Sequence, residues 1–186
     1  MTKRINIPLI STTLAIGLSG CAIQFQQLNT SDPVEETDAV VVLGVSPNSR
    51  LSFFEGEFQG GSWKCTSWYN IANVWSDEGY IVLKLKPRTD GKNYAIGQIL
   101  PTGIGGNAYV LQKGAVVPVF HAQPGKVTFV GAIKLIETNV GNGYAIVKDT
   151  SVTKSDAETF IYHRYPNLSA DLAAEPLQLM AAAGGC

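Results

Sequence analysis

The sequence predicts a mainly β protein: an antiparallel β-sandwich with one C-terminal helix packed on a sheet. Three observations carry that prediction. From Asp38 onward apolar residues recur with a period of two. Clusters of Gly, Pro and Asn interrupt those runs about every 8–12 residues, the spacing of turns in a sandwich or barrel. The charged fraction is 16% and there are 19 glycines among 186 residues, which suits turns and sheets better than a helical bundle.

The strands follow in order. Ala39-Val40-Val41-Val42-Leu43 is a continuous β-branched run, the pattern of a strand covered on both faces. Pro47-Asn48 marks a turn before a strand over Leu51 to Phe58. Residues 63–69 form a strand candidate rich in aromatics. Tyr80 to Lys86 alternates, with Ile81, Leu83 and Leu85 on one face and Tyr80, Val82, Lys84 and Lys86 on the other. A turn over residues 86–91 leads to a returning strand, Tyr94 to Leu100. Tyr109 to Leu111 and Val116 to His121 come next, and Pro118 places the latter at a sheet edge. Gln123-Pro124-Gly125-Lys126 has Pro and Gly where a type II turn needs them. The strand it launches carries Val127, Phe129, Ile133 and Leu135, expected on one face. Gly141-Asn142-Gly143 turns the chain into Tyr144 to Val147.

One helix is predicted. Ser155 and Glu158 have capping-box spacing, with Asp156 in the first turn. Ala157, Phe160, Ile161 and Arg164 share a face, and Pro166 ends the helix. Residues 169–186 read as an Ala-rich tail, broken by Pro176, with room for one short helix before it frays. No internal repeat is present.

The N-terminus carries an address. Lys3 and Arg4 precede an apolar run of about 14 residues, short of the ~20 needed to span a bilayer, and Leu18-Ser19-Gly20-Cys21 closes it. This segment resembles the signal peptide and lipobox of bacterial lipoproteins. The resemblance implies cleavage after residue 20 and lipidation of Cys21, which becomes the mature N-terminus; plain secretory cleavage and a retained helix are the alternatives. Two or more acyl chains hold a protein durably on a bilayer where one does so only reversibly. Ala22 after the cysteine implies, by the same resemblance, delivery to the outer membrane, on its periplasmic face. Residues 21–37 then read as the lipidated N-terminus and a flexible tether, which at about 3.3 Å per residue reaches roughly 50 Å. The domain follows over residues 38–168.

Val119 to Leu135, around Pro124-Gly125-Lys126-Val127-Thr128-Phe129-Val130-Gly131, is similar to a turn-plus-strand of small, largely uncharacterised Gram-negative lipoproteins. That likeness implies a β-sandwich and lends no catalytic residue.

Charge and cysteines narrow the function. Loss of Lys3 and Arg4 with the leader takes the formal charge from −1 to −3. No Lys/Arg cluster follows, so nucleic acid is not an expected partner. With Cys21 lipidated, Cys65 and Cys186 remain as a candidate disulfide in an oxidising compartment; the alternative is a buried Cys65 and a free Cys186. No His/Cys spacing of a zinc site occurs, and neither metal nor cofactor is expected.

All three tryptophans lie between residues 63 and 75. Alternation along 63–69 puts Trp63, Cys65 and Tyr69 on one side and Trp68 on the other, so a single-layer core cannot take them all. Trp68 and Trp75 are the partner-surface candidates, for an envelope protein or a cell-wall sugar. His121 and His163 are the only histidines, and no G-x-S-x-G or H-E-x-x-H accompanies them. Gly103-Ile104-Gly105-Gly106 is Gly-rich but opens no helix, so it reads as a turn and not a phosphate cradle. The combined expectation is a lipid-anchored envelope protein with a non-enzymatic binding or assembly role. An envelope hydrolase using His121 or His163, and a purely structural envelope protein, are the alternatives.

Overall fold

A computed structural model describes residues 27–87, 91–103, 109–138, 144–168 and 171–186. The leader and Cys21 lie outside the described residues, as do the expected turns at 88–90, 104–106 and 141–143.

The protein is mainly β, with two sheets and one short helix near the C-terminus. The strands are β1 (Ala39–Ser46), β2 (Ser49–Gln59), β3 (Ser62–Cys65), β4 (Ala72–Trp75), β5 (Tyr80–Leu85), β6 (Lys92–Pro101), β7 (Tyr109–Val110), β8 (Val116–Ala122), β9 (Val127–Glu137) and β10 (Tyr144–Lys148). Helix α1 (Lys154–Arg164), β11 (Ala173–Ala174) and β12 (Gln178–Ala181) complete the chain. One sheet runs β10-β9-β1-β5, with β11 also on β9. The other runs β12-β8-β6-β2-β3, with β4 also on β2 and β7 on β6. Pairing is antiparallel except for β1 and β11, each parallel to β9.

The β-branched run of β1 is covered on both faces, as its composition predicts. Val41, Leu43 and Val45 join Leu51, Phe53, Ile81, Leu83 and Ile96 in the layer between the sheets. Val40 and Val42 point the other way, to Val82, Phe129 and the helix residues Ala157, Phe160 and Ile161. The alternation of β5 divides as expected, Ile81 and Leu83 inward and Val82 towards the helix.

β9 departs from its expected face. Val42 pairs with Phe129 but Gly44 with Ala132, so β9 carries one extra residue there. This bulge, next to Gly131 at φ +97°, reverses the alternation. Val127 and Phe129 face the helix, while Ile133 and Leu135 face the inter-sheet core.

Helix α1 is capped two residues earlier than expected. Thr153 is the N-cap, and its hydroxyl and backbone N–H form a reciprocal box with Asp156. Ser155 is already helical, and Glu158 pairs with Lys154 at 2.9 Å. Phe160 stacks on Tyr80 with ring centroids 4.4 Å apart. Arg164 leaves the apolar stripe and forms an ion pair with Asp77.

Both ends of the folded unit extend beyond residues 38–168. The tether expected up to residue 37 docks from Gln27 on: Gln27 bridges Leu83, and Leu28 is buried with its N–H on Val82 O at 3.0 Å. The tail is built in and not frayed. Leu172 and Leu177 are buried, β11 lies on β9, and β12 pairs with β8. Beyond β12 the tail meets the far edge of the same sheet, where Trp63 bridges Ala182 and Ala183 N–H donates to Trp63 O at 2.8 Å. The path β12-β8-β6-β2-β3 therefore curls until its ends touch, around an apolar layer of Trp63, Ala95, Leu111, Val117, Val119 and Ala182. The apolar spacing of the Ala-rich tail hid this role because only Leu172, Leu177 and Ala182 of it are anchors.

Candidate functional site

The aromatic segment is not one strand. β3 and β4 both pair with the same side of β2, in line: Gly56 faces Cys65, and Phe53 faces Ala72. Thr66 N–H donates to Glu55 O (3.0 Å) and Ile71 N–H to Phe53 O (2.8 Å). Two residues of β2, Phe54 and Glu55, thus stand opposite six on the other side, 66–71, and Ser67-Trp68-Tyr69-Asn70 is pushed out as an excursion. Within it the Tyr69 N–H reaches Ser67 Oγ at 3.4 Å, a short polar turn suited to a loop tip.

The excursion carries the exposed aromatics. Trp68 is 90% exposed and Tyr69 57%. Trp75, at the end of β4, is 44% exposed; Ala72 and Val74 point into the inter-sheet core, which turns Asn73 and Trp75 to the opposite face. There Arg50 donates its Nε–H to Asn73 Oδ1 at 2.7 Å, beside Trp75. Trp63 behaves differently and is fully buried. Trp63 is buried and Trp68 exposed, but not as opposite faces of one strand over 63–69: β3 stops at Cys65, and Trp68 and Tyr69 both sit on the excursion.

Both bases of the excursion are fixed. Cys65 is bonded to Cys186, 121 residues away in sequence, with Cα atoms 5.5 Å apart. At the other base Ile71 and Ala72 are tied to Phe53. Among the described residues no strand pairs with the outer edge of β4. An edge strand flanked by exposed tryptophans is a surface that can accept a polypeptide partner.

The histidines are elsewhere. His121, partly buried on β8, has its Nδ1 2.9 Å from Asn93 Oδ1. It lines a cleft of about 390 Å³ whose walls include Phe58, Asn93, Glu175 and Gln178, with no Ser, Thr or Cys among the lining residues to serve as a nucleophile for it. Near this cleft, burial and then the Glu55 carboxylate raise the Tyr94 phenol far above its usual value. His163 is exposed on α1, edge-on to Tyr162 at 5.3 Å. Among the described residues no group of three or more His, Cys, Asp or Glu side chains is placed to hold a metal, and no helix is long and apolar enough to cross a membrane.

Comparison with family models, curated proteins and solved structures finds no match to this chain. The chemistry of its surfaces rests on its own residues.

Proposed function

We propose that the protein is a lipid-anchored envelope module that binds a protein partner through the Trp68-Tyr69-Trp75 surface. The observation that carries this reading is the exposure of Trp68, 90%, on a loop whose two bases are held by a disulfide and by sheet hydrogen bonds. A free tryptophan side chain gains most when a partner desolvates it, and Trp and Tyr dominate binding hot spots. Holding the loop in place beforehand reduces the ordering cost of association. The unpaired edge of β4 beside it offers backbone donors and acceptors to the same partner.

The lipobox at positions 18–21 supports acylation of Cys21 and delivery to the periplasmic face of the outer membrane. From Cys21 to the docked Gln27 is six residues, at most about 20 Å of chain, so an acylated Cys21 would keep this domain close to the bilayer. Affinity capture from envelope extracts tests the binding reading. Wild-type protein should retain a defined partner, Trp68→Ala should lose it, and Tyr162→Ala, an exposed aromatic on α1, should keep it. Equal retention by Trp68→Ala would defeat the reading.

A further inference from the structure

The second surface of interest is the cleft at His121. It opens at one end of the curled sheet, where β2 and β8 finish and β6 and β12 begin: Phe58, His121, Asn93 and Gln178 are the residues at those strand ends. Its volume, about 390 Å³, is at the lower end of the range for small-molecule sites, about 300–1,000 Å³. Its walls have a distinct chemistry. Phe58 offers a ring that is 49% exposed. Asn93, Gln178 and Glu175 are planar polar side chains, and no Lys or Arg lines the cleft.

The hydrogen-bonding roles are set by geometry. Asn93 Oδ1 is an acceptor, so the His121 nitrogen 2.9 Å from it carries the proton. That leaves His121 Nε2 as an acceptor in the neutral ring and the Asn93 amide as a donor. The Gly91 backbone packs against the Nε2 side of the ring, since a Cβ there would stand 2.3 Å from that atom. Nearby, the Trp63 indole crosses Gly56, the cross-strand neighbour of Asn93, and its buried Nε1–H has no acceptor among the described residues.

We infer that this cleft is a binding site for a neutral saccharide, one or two rings long. An aromatic platform takes the C–H face of a sugar ring. Side-chain amides and carboxylates, each able to bridge adjacent hydroxyls, fix its orientation, and a ligand hydroxyl can accept from the Asn93 amide, which His121 holds in place. The lone carboxylate of Glu175, with no cation beside it in the cleft, disfavours phosphorylated or acidic ligands. The site is separate from the Trp68 surface and does not depend on it.

The test is saturation-transfer NMR on the purified full chain with a panel of neutral disaccharides: cellobiose, maltose, lactose and N,N′-diacetylchitobiose. At least one should receive saturation on its ring protons. Phe58→Ala and Asn93→Ala should each weaken that binding at least tenfold, with unchanged unfolding temperatures, while Trp68→Ala leaves it intact. No transfer to any member of the panel would overturn the inference. So would binding that survives Phe58→Ala and Asn93→Ala in folded protein, or that is lost with Trp68→Ala instead.

Discussion

Cys186 is bonded to Cys65 at the end of β3, so the C-terminal strap is fastened at the base of the loop that presents Trp68. The strap first closes the open side of the sandwich through β11 and β12 and then crosses to β3. A cross-link over 121 residues removes much of the freedom of the unfolded chain. Replacing both cysteines by serine should lower the unfolding free energy by about 2–5 kcal/mol, read from urea transitions. Reductant should do the same to the wild type. An unchanged midpoint in the double variant would show that the strap is held by its strand pairing alone.

Trp63 and Trp68 stand five residues apart and should respond oppositely. Trp63 fills the curled sheet, and Gly56 is the space it needs: a Cβ at 56 would come within 2.3 Å of the indole. Trp63→Ala should cost about 3–5 kcal/mol, and Gly56→Ala about 1–3 kcal/mol through overpacking. Trp68→Ala should stay within about 0.5 kcal/mol, as surface substitutions usually do. Thermal or urea unfolding separates the two; a large loss from Trp68→Ala would mean that the excursion is part of the core.

The helix cap gives a pH-dependent prediction. Hydrogen bonds from the Thr153 side chain and backbone hold the Asp156 carboxyl below its usual value of 3.8. The unfolded chain therefore binds this proton more readily, and the contribution is complete above that value and fades as pH falls through the lowered one. Thr153→Ala should cost about 1 kcal/mol near neutrality. As pH falls through that lowered value the gap between variant and wild type should narrow, down to the part carried by the Asp156 N–H bond to the Thr153 hydroxyl, which does not titrate. A gap of constant size down into acid would show that the Asp156 carboxylate adds nothing to the cap.

Much of this architecture was legible in the residues. Period and apolar runs located every strand of six residues or more among the described residues, and the unbroken Val40-Val41-Val42-Leu43 run marked β1 as a strand buried on both faces. Local pattern did not reveal where strands slip or stop. The bulge beside Gly131 reversed the facing of Ile133 and Leu135 relative to Val127, because one extra residue changes parity and leaves no mark in composition. The excursion at 67–70 arose the same way, from β3 and β4 sharing one strand. The strap was hidden because its anchors, Leu172, Leu177 and Ala182, are too sparse for a period. Trp68 and Trp75 were named as surface candidates and both are exposed, but the alternation argued for 63–69 is not the reason, because β3 stops at Cys65 and Trp68 lies on the excursion. The cleft at His121 was not, since Phe58, Asn93, His121 and Gln178 converge only through the sheet order.

Anchoring is checked through the lipobox. Cys21→Ser should release the mature protein into the soluble fraction or leave the leader uncleaved, followed by detergent partitioning and by mass of the N-terminal peptide. Normal processing with unchanged partitioning would remove the lipid anchor from this account.

The central claim is that the Trp68 loop is the contact surface, and photo-crosslinking in intact cells tests it most directly. A photoreactive phenylalanine analogue would replace Trp68 in one strain and Tyr162 in another, with the full chain expressed and processed in both. Position 68 should give a discrete adduct that weakens when Trp75 is changed to Ala, and position 162 should give none of that mass. A folded, processed protein that forms no adduct at position 68, or forms the same adduct at position 162, would contradict the claim.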